Sequence, residues 1–194
     1  MTVQPPIDFR QLRILVVHPR DGDGDMMFRQ LQRAGSHVEL AWPPPPELPA
    51  SIDAVFLLIG AEPKGWLAGP PQCALIGVIG RSDAGLLRPL VDCNPQAVIS
   101  KPIDPAGLLA NLVVAHNSFR YEKRLLSKIG KLEDTLRSIR KVEQAKSILM
   151  KQKRIQEPEA YRFLRQQAMN KRMSIGAVAS AIIAAAEVLH DESR

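Results

Sequence analysis

Between Pro105 and Pro158 the chain has no proline, and the only glycines there are Gly107 and Gly130. Proline and glycine are the residues that stop a helix. The stretch from Ala106 to about Lys153 is therefore predicted to be one long helix, with Gly130 costing it about 1 kcal/mol relative to alanine. Within it Leu125, Ile129, Leu132, Leu136 and Ile139 are spaced 4, 3, 4 and 3 residues apart. That is the a/d seam of a coiled coil over about two heptads. Phe119, Tyr121 and Leu126 extend the apolar surface, and polar or charged residues fill most other positions. So narrow a seam buries itself only against a partner helix, and a homodimer is expected. The alternative is a helix packed on its own first domain.

Before this helix the sequence is punctuated differently. Leu12 to Val17, Val38 to Ala41, Ala54 to Ile59, Ala74 to Ile79 and Ala97 to Ile99 are short apolar runs, nearly continuous and not alternating. Such runs suit strands covered on both faces of a parallel sheet. One helix fits from about Asp25 to Ala34, ended by Gly35, and another from about Ala84 to Cys93. The fold class is therefore α/β, an open five-stranded parallel sheet of about 110 residues. Pro43 to Pro46 and Pro49 leave no room for a helix between the second and third strands. Pro63, Gly65, Gly69, Pro70 and Pro71 allow at most a short helical piece in the next connection. Trp42 beside four prolines is read as a stiff surface loop with the indole packed down; docking of a partner on a polyproline II segment is the alternative.

The last fifty residues form a helical unit. Pro158 suits the first turn of a helix reaching about Asn170, and Ser174 suits the N-cap of a last helix ending near Leu189. Ile148, Leu149, Tyr161, Phe163, Leu164, Ala168, Ile175, Val178, Ala179, Ile182 and Ile183 supply a three-helix core.

The net charge of +6 is unevenly spread. Residues 119–172 hold 16 Lys and Arg against 6 Asp and Glu, a net +10, while the stretches on either side are each −2. A polyanion partner for that segment alone is implied, against the simpler reading of a solvated helical face. No apolar run approaches the roughly 18–20 residues of a membrane span. The N-terminus lacks the pattern of a secretory signal, so a cytoplasmic protein without membrane contact is expected. Cys73 and Cys93 belong to no metal or redox motif and read as packing residues.

Catalytic and ligand motifs fail one by one. Asp21-Gly22-Asp23-Gly24-Asp25 opens like a calcium loop, but Met26 and Gln32 stand where glycine and a bidentate acid are needed; a solvated turn into the next helix is expected there. No glycine-rich phosphate loop and no nucleophile elbow occurs. His18, His37, His116 and His190 have no metal-ligand spacing. The expectation is a protein that is not an enzyme and takes neither metal nor cofactor.

Two resemblances sharpen this. The first domain resembles a two-component receiver, with Lys101-Pro102 directly after the fifth strand. His18-Pro19 stand where a receiver has acids, Ile59 (with Leu58 and Gly60 nearby) where it has its acceptor aspartate, and Gly80 where it has a hydroxyl residue. Such a domain lacks a phosphoryl acceptor and a Mg²⁺ cage, so His18, Ile59 and Lys101 mark a degenerate phosphorylation site in a pseudo-receiver. The C-terminal unit resembles the ANTAR RNA-binding domain, through Gln144-Ala145-Lys146-Ser147-Ile148-Leu149-Met150, then Ala160-Tyr161, Leu164-Arg165 and Ala168-Met169, then Ile175 to Ala179. As a whole the chain resembles ANTAR-domain transcription antiterminators of the amidase-operon type.

That resemblance implies 1–116 as pseudo-receiver, 117–141 as coiled-coil dimerisation helix and 142–194 as ANTAR domain. It implies binding to paired stem-loops in nascent leader RNA, which keeps the terminator from forming, and silencing by a ligand-sensing partner protein. The matching positions nominate Ala145, Lys146, Tyr161, Arg165, Ala168, Met169, Lys171 and Arg172 for RNA. Cations would meet phosphates and bases, Tyr161 would stack, and the alanines would allow close approach. A DNA-binding response regulator and an interaction module without nucleic acid stay open as alternatives.

Overall fold

The computed structural model describes residues 7–61, 65, 72–80, 85 and 87–191. They divide into two compact units, the break falling between Arg124 and Leu125.

The first unit is a five-stranded, all-parallel sheet in the order β2-β1-β3-β4-β5. Its strands are β1 (Arg13–Val17), β2 (His37–Ala41), β3 (Ala54–Leu58), β4 (Ala74–Ile79) and β5 (Ala97–Ser100). Each predicted run holds a strand, with ends shifted by no more than a residue. Period-two geometry sorts their side chains onto two faces. Ile14, Val16, Phe56, Ile76, Val78 and Ile99 meet Met27 and Leu31 of helix α1 (Gly22–Arg33), and Leu108, Leu112, Ala115 and Phe119 of helix α3 (Pro105–Lys153). Leu15, Val17, Val55, Leu57, Cys73 and Leu75 face the other way, with Cys93 at the end of helix α2 (Leu87–Cys93) packed against them. Both cysteines are free, and burial pushes the Cys73 thiol up to about 11.

Local differences from the sequence reading have local causes. Helix α1 starts at Gly22, three residues earlier than expected. Asp21 caps it, its Oδ1 accepting from the amides of Asp23 and Gly24 at 3.1 and 2.9 Å. This cap outweighs the poor helix propensity of Gly22 and Gly24. Helix α2 starts at Leu87; residues 84 and 86 lie outside the described set, as do Pro63, Gly69, Pro70 and Pro71. No helix interrupts residues 42–53, as the prolines require. Trp42, expected to pack down, is 47% exposed.

Gly24 has no room for a side chain. A Cβ there would overlap the Pro19 carbonyl oxygen and come 3.0 Å from His18 Nδ1. Both neighbours are held, one by being backbone and the other by burial. Gly24→Ala is expected to destabilise the first unit by about 2 kcal/mol, the usual scale of overpacking. Urea denaturation followed by the sheet's circular dichroism would register it, and an unchanged midpoint would refute it.

In the second unit, α3 runs unbroken to Lys153 and is followed by α4 (Glu157–Lys171) and α5 (Ile175–Asp191). Val142, Ala145 and Leu149 of α3 pack with Ala160, Leu164 and Ala168 of α4 and Val178 and Ala179 of α5. Ser174 Oγ accepts from the Ala177 amide at 3.1 Å, the expected N-cap. Arg154 after α3 and Arg172 after α4 both take left-handed backbone, each with φ of 52°. Among the described residues no helix is long and apolar enough to cross a membrane.

Candidate nucleic-acid interface and the degenerate receiver site

Helix α4 sorts its residues by position. Ala160, Leu164 and Ala168 are four apart and buried. Tyr161, Arg165 and Met169 each follow one residue later, about 100° round the helix, and are exposed. Aromatic ring, guanidinium and thioether thus form one stripe on the helix surface. Lys171 and Arg172 continue the exposed charge beyond its C-terminal end. The stripe offers a stacking surface and cations side by side, the combination by which proteins engage unstacked bases and their phosphates. Tyr161 was expected in the core as well as at the interface; at 47% exposure it belongs to the surface. Met173, just past the C-cap of α4, is also exposed, and Arg162 adds a further exposed guanidinium on α4. Sequence reasoning had named neither. The available signal was their closeness in sequence to Tyr161 and to Lys171-Arg172.

The other nominated residues lie elsewhere. Ala145 and Ala168 are in the three-helix core. Their small size lets α3 and α4 approach each other, where they had been expected to admit RNA. Lys146 is buried against the same core. Its Nζ sits 2.8 Å from Glu143 Oε2 and 2.6 Å from Glu157 Oε1. The Glu143 contact, then that to Glu157, raises the ammonium's pKa, and Lys146 in turn holds the Glu157 carboxyl below the usual range.

The seam residues share another surface. Leu125, Ile129, Leu132, Leu136 and Ile139 are 41 to 64% exposed. On an α-helix positions three and four apart are neighbours, so five large aliphatic side chains form a stripe open to water.

In the first unit the C-terminal ends of the strands carry the receiver-like cluster. His18 is fully buried, its Nδ1 2.9 Å from the Pro19 carbonyl oxygen and 3.3 Å from Asp21 Oδ1. Lys101 Nζ lies 3.3 Å from Asp23 Oδ2 and 3.9 Å from Asp21 Oδ2. Asp21 and Asp23, three and five residues after His18 at the start of α1, thus face the Lys101 ammonium. Reading Asp21 and Asp23 as part of a solvated turn missed this. The signal was their distance from the end of β1, a single turn of chain. The Gly24 amide first, then the charges of His18 and Lys101, hold the Asp21 carboxyl below the usual carboxylate range. Ile59 is buried beyond β3, its side chain against the spot where a Cβ on Gly77 would sit, beside Leu90 of α2. At that position the chain presents hydrocarbon. Among the described residues, no group of three or more His, Cys, Asp or Glu side chains is arranged to hold a metal.

Comparison with known proteins follows the same division. Residues 12–116 match the family model of the AmiR N-terminal domain, and residues 130–183 match the ANTAR domain model. The aliphatic amidase regulator of Pseudomonas aeruginosa is 28% identical over 180 residues, covering 90% of this chain and 92% of that protein. The transcriptional regulatory protein PdtaR of Mycobacterium tuberculosis is 26% identical over 124 residues, 64% of this chain and 60% of that one. Among solved structures, a response regulator receiver protein from Burkholderia phymatum superposes with a TM-score of 0.44 at 17% identity, over 55% of this chain and 96% of that one. Full-length FixJ from B. japonicum superposes with a TM-score of 0.46 at 13% identity, over 89% of this chain and 97% of that one.

Proposed function

Because the chain belongs to the AmiR N-terminal family and carries an ANTAR domain, we propose that it is an RNA-binding transcription antiterminator, not an enzyme, acting in the cytoplasm. It binds paired stem-loops in nascent leader RNA and so prevents the terminator hairpin from forming. The observation that carries this reading is the exposed Tyr161–Arg165–Met169 stripe, lying inside the ANTAR match and inside the +10 segment. Tyr161 stacks a loop base; Arg165, Lys171 and Arg172 engage phosphates and base edges. Residues 1–116 act as the pseudo-receiver, 117–141 as the dimerisation helix and 142–194 as the RNA-binding domain. The seam pairs two chains, so that two RNA-binding heads meet two loops.

The test is binding of the full chain to a two-stem-loop RNA from upstream of its own operon. The same RNA with both loops scrambled and a DNA duplex of equal charge are the controls, each across a salt series. Loop-dependent binding is expected, with Arg165→Ala weakening it about tenfold. Equal binding to all three that salt abolishes would reduce the basic segment to an unspecific polyanion surface.

Control passes through a partner protein that senses a ligand and covers the first domain. The hydrocarbon of Ile59 and the commitment of Asp21 to the α1 cap support a domain that works without phosphoryl transfer. Incubation with acetyl phosphate is expected to leave the mass of the chain unchanged. A phosphorylated aspartate in residues 1–116, found by mass spectrometry, would overturn that.

A further inference from the structure

Lys146 lies in the motif that points to RNA, yet its charge is already spent. Its side chain is only 10% exposed, and its Nζ makes two charged contacts, of 2.8 and 2.6 Å. Contacts that short are charge-assisted hydrogen bonds, about twice as strong as neutral ones. With Glu143 and Glu157 the ammonium forms a cluster of net charge −1. An approaching phosphate would have to displace a carboxylate and would meet like charge while doing so.

The two carboxylates sit on different elements. Glu143 is on α3, one turn before Lys146, and only steadies the ammonium on its own helix. Glu157 is the first residue of α4, beyond a three-residue turn in which Arg154 is left-handed. The Lys146–Glu157 pair therefore ties the start of α4 to α3. A second tie crosses the same corner: Lys153 Nζ lies 4.2 Å from the centre of the Phe163 ring. The buried stripe Ala160, Leu164 and Ala168 is made largely of alanine, which gives α4 little shape to lock its rotation. These ties across its first two turns then decide how the stripe Tyr161, Arg165 and Met169 is aimed.

We infer that Lys146 is a positioning residue that acts on RNA through Glu157, setting the orientation of α4 and making no contact with the nucleic acid itself. This rests on the RNA-binding reading given above. Direct contact and positioning differ in sign. If Lys146 touched phosphate, removing Glu157 would free the ammonium and tighten binding. If Lys146 positions α4, removing either partner weakens binding, although Glu157→Gln takes away a negative charge near a polyanion.

The experiment measures the affinity of the full chain for the two-stem-loop RNA across a salt series, for Lys146→Met, Glu157→Gln and the double variant. Circular dichroism runs in parallel to show that each chain is folded. Glu157 is largely exposed, so its variant keeps the test alive should Lys146→Met lose structure. Each single change is expected to weaken binding by about three- to tenfold, and the double variant to be no weaker than the weaker single. The slope of log affinity against log salt should stay that of the wild type, because no phosphate contact is lost. Tighter binding by Glu157→Gln, or a slope reduced by about one in Lys146→Met, would overturn the inference and leave the RNA-binding reading standing. A wild-type chain that ignores the loops would overturn that reading, and this inference with it.

Discussion

Replacing Leu132 and Leu136 together by aspartate is expected to turn a dimer into a monomer of 21.4 kDa at micromolar concentration. The same change should lower affinity for the two-loop RNA by about 100-fold while leaving affinity for a single loop nearly unchanged. Both leucines are more than half exposed, on a helix whose remaining surface there is mostly charged. Exposed leucines and isoleucines at 4, 3, 4, 3 spacing gain nothing in the single chain and gain the burial of their aliphatic surface in a pair. Two carboxylates at the centre of the seam would be desolvated without partners, which blocks that pairing. The loss for two loops follows from linkage: once one head is bound, the second loop meets the second head at a raised effective concentration, and a monomer forfeits that gain. Light scattering with RNA titrations checks both halves. A variant that stays dimeric would place the contact elsewhere.

Leu164→Ala is expected to unfold the C-terminal unit at 25 °C and abolish RNA binding, while the sheet domain keeps its own thermal transition within a few degrees. Leu164 is fully buried at the middle of α4, facing a core otherwise rich in alanine. Truncating a buried leucine costs about 2–5 kcal/mol. A unit this small holds a core worth only about 3–5 kcal/mol, so the loss is comparable to its whole stability. Calorimetry should show the lower transition vanish. Retention of wild-type RNA affinity by this variant would mean that the three-helix core is not what presents the interface.

The sheet was legible because burial on both faces leaves a nearly uninterrupted apolar run, which few other structures require. Runs such as Ala54 to Ile59 fix a strand's place to within a residue. The long helix was legible for the opposite reason, the absence of anything that would stop it. Helix α1 was placed late because its start depends on one side chain, Asp21, folding back on two amides, and composition sees only two unfavourable glycines.

The candidate interface was half legible. A motif names positions without saying which way each side chain points. Ala145, Lys146 and Ala168 matched the pattern as well as Tyr161 and Arg165 did. On α4 its period separates Ala168 from Tyr161 and Arg165, since Ala160, Leu164 and Ala168 mark the inner face and each successor lies 100° away; Ala145 and Lys146 lie on α3, where only the packing of the three helices shows them to be buried. Of the double ion pair of Lys146, the Glu143 half is an ordinary i,i+3 helix pair, but the Glu157 half could not have been read: Glu157 is eleven residues away, and only the turn at Arg154 brings it back.

The two left-handed arginines bear on how this chain has been optimised. Backbone of that hand costs a residue with a side chain about 1–2 kcal/mol, and glycine occupies it freely. Arg154 and Arg172 bracket α4 at its two ends, where a chain selected for durability alone would carry glycine. Keeping guanidinium groups there sacrifices part of a small reserve of stability and leaves positive charge at both corners of the helix that carries the exposed stripe. On the proposed function, this is the compromise between robustness and activity found where residues serve a binding partner more than the fold.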